Sequence, residues 1–244
     1  MLRSFFIALS FLTIIPSPKI DNWQEDDFAK SLRAYPLVGL LIASILLLFA
    51  YALSSTQPLL ASALSISLWF ILTGGLHFDG LCDIADAVFA SKSPIERQEI
   101  AKDPRIGSFA FLAGSLVIIL KIAALQAMPD FSLMFFVPLI ARSIILLIIP
   151  VFPVQENSQI AKMLENTKVI SMWTVLYALG LILGLAILFA KFYLILASLL
   201  VAVSFAFLLA FWLNKRMQGL NGDSYGAIIE LTELLLLLYF AFLT

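Results

Sequence analysis

The chain alternates long apolar runs with short polar intervals. Tyr35 to Leu53 reads as a first membrane span and Leu59 to Thr73 as a second, separated by the polar turn SSTQP. The second is brief and is expected to continue into the helix that follows it. Gly107 to Ala127, Leu133 to Phe152 and Ile170 to Ala190 come next. Lys191 marks a tight turn, Phe192 to Leu213 returns, and after NKRMQGLNGDSYG a last helix runs from Ala227 to Phe242. Such runs approach the ~20 apolar residues a helix needs to cross a hydrocarbon core of ~30 Å. Ser4 to Ile15 is apolar over only 12 residues and is stopped by Pro16 and Pro18, so it reads as an interfacial or re-entrant segment, with a short tilted span as the alternative. DNWQEDDFAKSLR reads as a short surface helix capped near Asp21, with Glu25, Asp26 and Asp27 on a solvated face. The pattern predicts an all-α, polytopic integral membrane protein. It has about seven transmembrane helices plus the short N-terminal segment, in one domain over residues 1–244.

Composition agrees. Of 244 residues, 62% are hydrophobic and 13% charged, against about 45–50% and 25% in soluble domains, and mean hydropathy is +1.03. The net charge of −1 offers no general attraction for nucleic acid, and one cysteine excludes an internal disulfide. The N-terminal run lacks a small-x-small cleavage site and is expected to be retained. The loops at 19–33, 77–106, 153–169 and 214–225 each hold two to four lysines or arginines, whereas 54–58 and 128–132 hold none. By the positive-inside rule the charged loops face the cytoplasm.

Polar chemistry is concentrated between Gly74 and Phe109, which hold the only histidine, the only cysteine and six of the sixteen carboxylates. Asp79, Asp83 and Asp86, spaced i, i+4, i+7, fall on one face of a helix. Carboxylates so close repel one another and call for a cation. Mg²⁺ is commonly held by a few carboxylates with water and substrate phosphates. A solvated acidic face is the alternative, against which Leu81, Cys82, Ile84 and Ala85 supply an apolar back. Gly80 would allow a backbone or phosphate close approach. His77 is either a general base or an interfacial hydrogen-bonding group. Cys82 reads as a packing residue.

Further charges lie outside this stretch. Lys121 and Arg142 fall within spans, where a charge costs several kcal/mol unless it faces a partner or wet cavity; Lys121 could instead snorkel to the interface. For Arg142 a partner carboxylate or a substrate phosphate is expected. Lys102 and Arg105 could clamp a phosphate or bind anionic lipid. GLNGDSYGAIIELTE adds Asp223, Glu230 and Glu233, with Gly219, Gly222 and Gly226 forming a close-approach loop.

PLVGLL (36–41), TGGLHFDGLCDIADA (73–87), EIAKDPRIGSFAFLA (99–113), Lys121 and GLNGDSYGA…E..E (219–233) together resemble the cobalamin synthase family, the adenosylcobinamide-GDP ribazoletransferases, in order and over nearly the whole chain. Asn221 stands where threonine is usual. The resemblance implies a Mg²⁺-dependent transfer at the cytoplasmic face of a bacterial inner membrane. A hydroxyl of α-ribazole, or of its phosphate, attacks the cobinamide-linked phosphorus of adenosylcobinamide-GDP, and GMP leaves. It further implies Asp79, Asp83, Asp86 and Asp223 as metal ligands, and Lys102 and Arg105 on the leaving phosphate. Asn221 and, from its position within a span, Arg142 are expected in the substrate-binding set, and His77 or an aspartate takes the proton. Membrane lipid is an expected neighbour and a homo-oligomer an expected assembly. One competing reading is a CDP-alcohol phosphotransferase, whose Asp-Gly-x-x-Ala-Arg arrangement is absent. The other is a secondary transporter, which would show internal repeats and midplane charges.

Overall fold

The apolar runs fold as helices in a computed structural model that describes residues 2–20, 26–90, 92–155, 158 and 172–243. They are α1 (Leu2–Leu12), α2 (Asp27–Ser31), α3 (Tyr35–Ala52), α4 (Pro58–Thr73), α5 (Leu76–Phe89), α6 (Pro94–Ile100), α7 (Ser108–Ala127), α8 (Phe136–Ile148), α9 (Met172–Leu188), α10 (Phe192–Met217) and α11 (Gly222–Ala241), with short 3-10 turns at Leu32–Ala34 and Phe131–Phe135. No strand occurs among the described residues, and the chain is a polytopic helical membrane protein.

Among the described residues, five helical segments are long and apolar enough to cross a bilayer, or six if α4 and α5 count as one broken span. The expected count of about seven is not confirmed among them: α9 is apolar throughout but has 17 described residues, and residues 170 and 171 of the expected span lie outside the described ones. α1, at 11 residues, is too short to cross, as its sequence suggested.

Two expectations change. α4 does not run on into the aspartate helix but breaks from it with a 90° bend. The cause is local: Gly74 and Gly75 both take left-handed φ, +60° and +69°, and their N–H groups close the end of α4 on the carbonyls of Ile71 and Phe70. Phe70 and Phe78 pack edge to face across the corner, 5.0 Å apart. Asp27 is not on a solvated face; it is buried, and Arg3 of α1 donates to it at 2.6 Å. This pair holds α1 against the entry to α3. Asp21 and Glu25, like most of the 153–169 loop, lie outside the described residues.

One end of the bundle gathers the polar segments. Leu220 N–H donates to Pro153 O and Gln155 N–H to Leu220 O, at 2.8 and 2.9 Å, tying the chain after α8 to the start of α11. Arg97 and Gln98 donate to the carbonyls of Arg216 and Met217 at the end of α10. At the other end Lys191 pairs with Asp130 at 2.9 Å, and Phe135 stacks on Phe189.

Candidate functional site

α5 lies along α11 and α7, and its packing sets the site. A Cβ on Gly80 would stand 2.9 Å from Asp223 Cα, so the two backbones touch there. Farther along, Gly226 of α11 meets His77, where an added Cβ would lie 3.3 Å from His77 Cα. The crossing brings Asp223, in the first turn of α11, against the turn of α5 that carries Asp79 and Asp83. α11 starts five residues before the expected Ala227, because Asn221 caps it: its side-chain oxygen accepts from Ser224 N–H at 2.9 Å. The close-approach loop is therefore partly a helix, and Asp223 is held at the positive end of its dipole.

Asp79 is exposed, and Asp83 and Asp223 are half-buried. Neither Asp79 nor Asp83 has an ion-pair partner among the described residues. Asn221 donates its amide to Asp223 at 2.9 Å. Asn221 is thus engaged as a cap and as a support for Asp223, and one N–H of its amide carries no bond among the described residues.

Asp86 differs from the other two aspartates of its helix. Its two oxygens accept from Gly107 N–H at 2.7 Å and Ala110 N–H at 2.9 Å, so it caps the start of α7 from another helix. A Cβ at Gly107 would fall 2.5 Å from the carboxylate. That bond also anchors the loop bearing Lys102 and Arg105. In that loop Arg105 is paired with Asp103 at 2.5 Å and holds the Asp103 carboxyl at about 2, below its usual range. Lys102 is exposed, and its side chain makes no hydrogen bond or ion pair among the described residues.

Beneath the acid face lies a buried charge network. Lys121 of α7 pairs with Glu230 at 2.5 Å and Glu233 at 2.7 Å, both on α11. Glu233 also pairs with Arg142 of α8. Arg142 in turn lies 3.3 Å from His77 Nδ1. Lys121 is 1% exposed and Arg142 0%, so Lys121 does not snorkel, and Arg142 meets a carboxylate rather than an accessible phosphate site. Trp69 adds a ring face 5.0 Å from the Lys121 ammonium. Two cations and two carboxylates make the network neutral, which is what lets it sit inside a membrane bundle.

A guanidinium only donates. The Arg142 contact therefore assigns His77 Nδ1 as the acceptor and puts the ring proton on Nε2. A histidine so held has no vacant nitrogen for a proton, and the general-base expectation for His77 does not match its geometry. Cys82 faces the Ala110 carbonyl at 3.8 Å and is a packing residue.

No three His, Cys, Asp or Glu side chains converge as a ready metal cage among the described residues. The donors nevertheless suit a hard cation: Asp79, Asp83 and Asp223 offer carboxylate oxygens uncompensated by a basic side chain, and Mg²⁺ takes one or two such ligands with water and phosphate completing its shell.

Sequence reasoning missed the wall behind the acid face. Phe11, Phe28, Tyr35 and Tyr225 line a cavity of about 120 Å³ together with His77 and Asp223. Aromatic residues scattered through apolar runs carry no spacing signal that would single them out.

The chain matches the family model described as cobalamin-5-phosphate synthase over residues 4–241. It is 34% identical to the adenosylcobinamide-GDP ribazoletransferase of Desulfitobacterium hafniense (strain Y51), covering 97% of this chain and 96% of that one. It is 34% identical to the protein of the same name from Deinococcus radiodurans, covering 96% and 84%. Against the one from Pseudomonas aeruginosa PAO1 identity is 36%, with 95% of each chain covered. No solved structure matches the chain.

Proposed function

The chain belongs to the cobalamin-5-phosphate synthase family, and on that premise we propose that it is a membrane transferase joining adenosylcobinamide-GDP to α-ribazole, or its phosphate, with release of GMP. The observation that carries this reading is the contact of Gly80 with Asp223, which assembles Asp79, Asp83 and Asp223 into one acid face from two helices.

The reaction forms one P–O bond and breaks another. A ribazole hydroxyl oxygen attacks the cobinamide-linked phosphorus, and the bridging oxygen leaves with GMP. Such transfers depend mainly on positioning and charge neutralisation. Asp79, Asp83 and Asp223 would hold Mg²⁺, which would supply positive charge to offset the phosphate oxygens. Asp86 stays out of this ligand set because both its oxygens hold α7. Lys102, exposed and unpaired among the described residues, neutralises the departing GMP phosphate, with Arg105 joining it when substrate displaces Asp103. The hydroxyl proton passes to a carboxylate of the acid face. The buried Lys121–Glu233–Arg142 network fixes the positions of α5, α7, α8 and α11 around it.

The end of the bundle bearing this face lies at the cytoplasmic side of a bacterial inner membrane, since the basic loops gather there. Lipid surrounds the apolar spans.

The test uses protein in detergent or lipid with adenosylcobinamide-GDP, α-ribazole and Mg²⁺, following GMP and corrinoid product by chromatography. Release that EDTA abolishes supports the reading. Well-folded protein that releases no GMP would refute it, and CDP-linked substrates would then be tried.

A further inference from the structure

The cavity behind the acid face has largely apolar walls from α1, α2, α3, α5, α8 and α11 and a volume of about 120 Å³. It is comparable to an apolar cavity of ~150 Å³ that stays dry and accepts a benzene ring. Four of its lining side chains are aromatic: Phe11, Phe28, Tyr35 and Tyr225. Phe11 and Leu76, both partly open to the outside, form its rim.

Two polar features make it more than a packing defect. Tyr225 is 5% exposed, and its hydroxyl is buried without a hydrogen-bond partner. A buried hydroxyl left unpaired is costly and is normally satisfied. Asp223 lines the cavity and also belongs to the acid face, because its Cα abuts Gly80. A molecule seated here would carry its polar end to Asp79 and Asp83.

Resting on the proposed reaction, we infer that this cavity is the subsite for the neutral aromatic base of the nucleoside acceptor: the base enters between the aromatic walls, and the ribose lies at Asp223. The chemistry separates the two substrates. A diphosphate brings charge that an apolar cavity bordered by Asp223 rejects, so it stays on the acid face with its cation. A neutral aromatic base gains from burial and brings a ring nitrogen for the Tyr225 hydroxyl. With the base seated, the ribose hydroxyls lie where Asp223 meets Asp79 and Asp83, on the side from which the phosphorus is attacked.

The experiment measures equilibrium binding of α-ribazole to the full chain in detergent, by calorimetry, with adenosylcobinamide-GDP left out. Ile229→Trp fills the cavity from α11 and is expected to weaken Kd at least tenfold. Tyr225→Phe keeps the ring, loses no existing hydrogen bond, and is expected to weaken Kd about threefold to tenfold. Wild-type protein that fails to bind α-ribazole overturns the inference, as do two folded variants with unchanged Kd. If Ile229→Trp does not fold, Tyr225→Phe decides alone. GMP release on the same preparations keeps the two readings apart: binding that obeys these variants without any GMP release leaves the subsite standing and removes the reaction. GMP release with an unaltered KM for α-ribazole in both variants does the reverse.

Discussion

Gly80 of α5 and Asp223 of α11 meet backbone to backbone, with 2.9 Å between Asp223 Cα and the point where a Cβ on Gly80 would lie. Residues 143 positions apart in the sequence thereby form one acid face. Gly80→Ala must push the helices apart, and overpacking of this kind costs about 1–3 kcal/mol. GMP release is expected to fall at least tenfold while the protein still purifies folded. Normal turnover in Gly80→Ala would mean that the crossing does not set the chemistry.

Asp83→Asn and Asp223→Asn each remove one carboxylate without changing shape. Each is expected to lower turnover by about 10²-fold or more, in the range for loss of a positioned catalytic group. Raising Mg²⁺ should recover part of the activity, because a weakened site fills at higher ion concentration. A Mg²⁺ titration of GMP release checks this.

Asp86 gives a contrasting result. As the cap of α7, its loss in Asp86→Ala should cost about 0.5–2 kcal/mol of stability, seen as a lower melting temperature. Asp86→Asn keeps one acceptor and should retain measurable turnover with an unshifted Mg²⁺ dependence. A shifted dependence would return Asp86 to the metal.

Glu233 compensates both Lys121 and Arg142. Glu233→Gln leaves a surplus buried positive charge and should destabilise the bundle by about 3–5 kcal/mol. Adding Lys121→Met restores neutrality, leaving Arg142 with Glu230, and should recover part of the loss. Denaturation in detergent of both single variants and the double variant reads the coupling.

Arg105 holds the Asp103 carboxyl at about 2, chiefly by donating to it. A depressed folded-state value means that the pair's contribution is complete above the unfolded carboxyl range and is lost only as pH falls toward 2. Between pH 5 and 9 the pair does not titrate. The shape of the pH profile of GMP release over that range should be the same for Asp103→Asn as for wild type.

Much of this architecture was legible in the chain. The expected starts of α3, α4, α7 and α10 agree with the structure to within a residue, because burial in lipid selects continuous apolar runs. The helix under Asp79, Asp83 and Asp86 was readable from their spacing, and Gly74-Gly75 carried a signal for the end of α4. A partner carboxylate was one expectation for Arg142, yet which acid would meet which cation was hidden. Lys121 and Glu233 are 112 residues apart, and no local pattern encodes such a separation.

By itself, the sequence determined that the protein is helical and membrane-bound, where its polar chemistry gathers, and which family motifs it bears. These are consequences of local hydropathy and of side-chain type. The tertiary structure decided what each of three aspartates on one helix face meets. Asp79 and Asp83 join Asp223 on an open face, while Asp86 is spent on the start of α7. It also decided that Arg142 is sealed against Glu233 and His77. Those assignments depend on which helix lies across which, and helix crossings are set by the packing of side chains distant in the chain, such as the absent Cβ at Gly80.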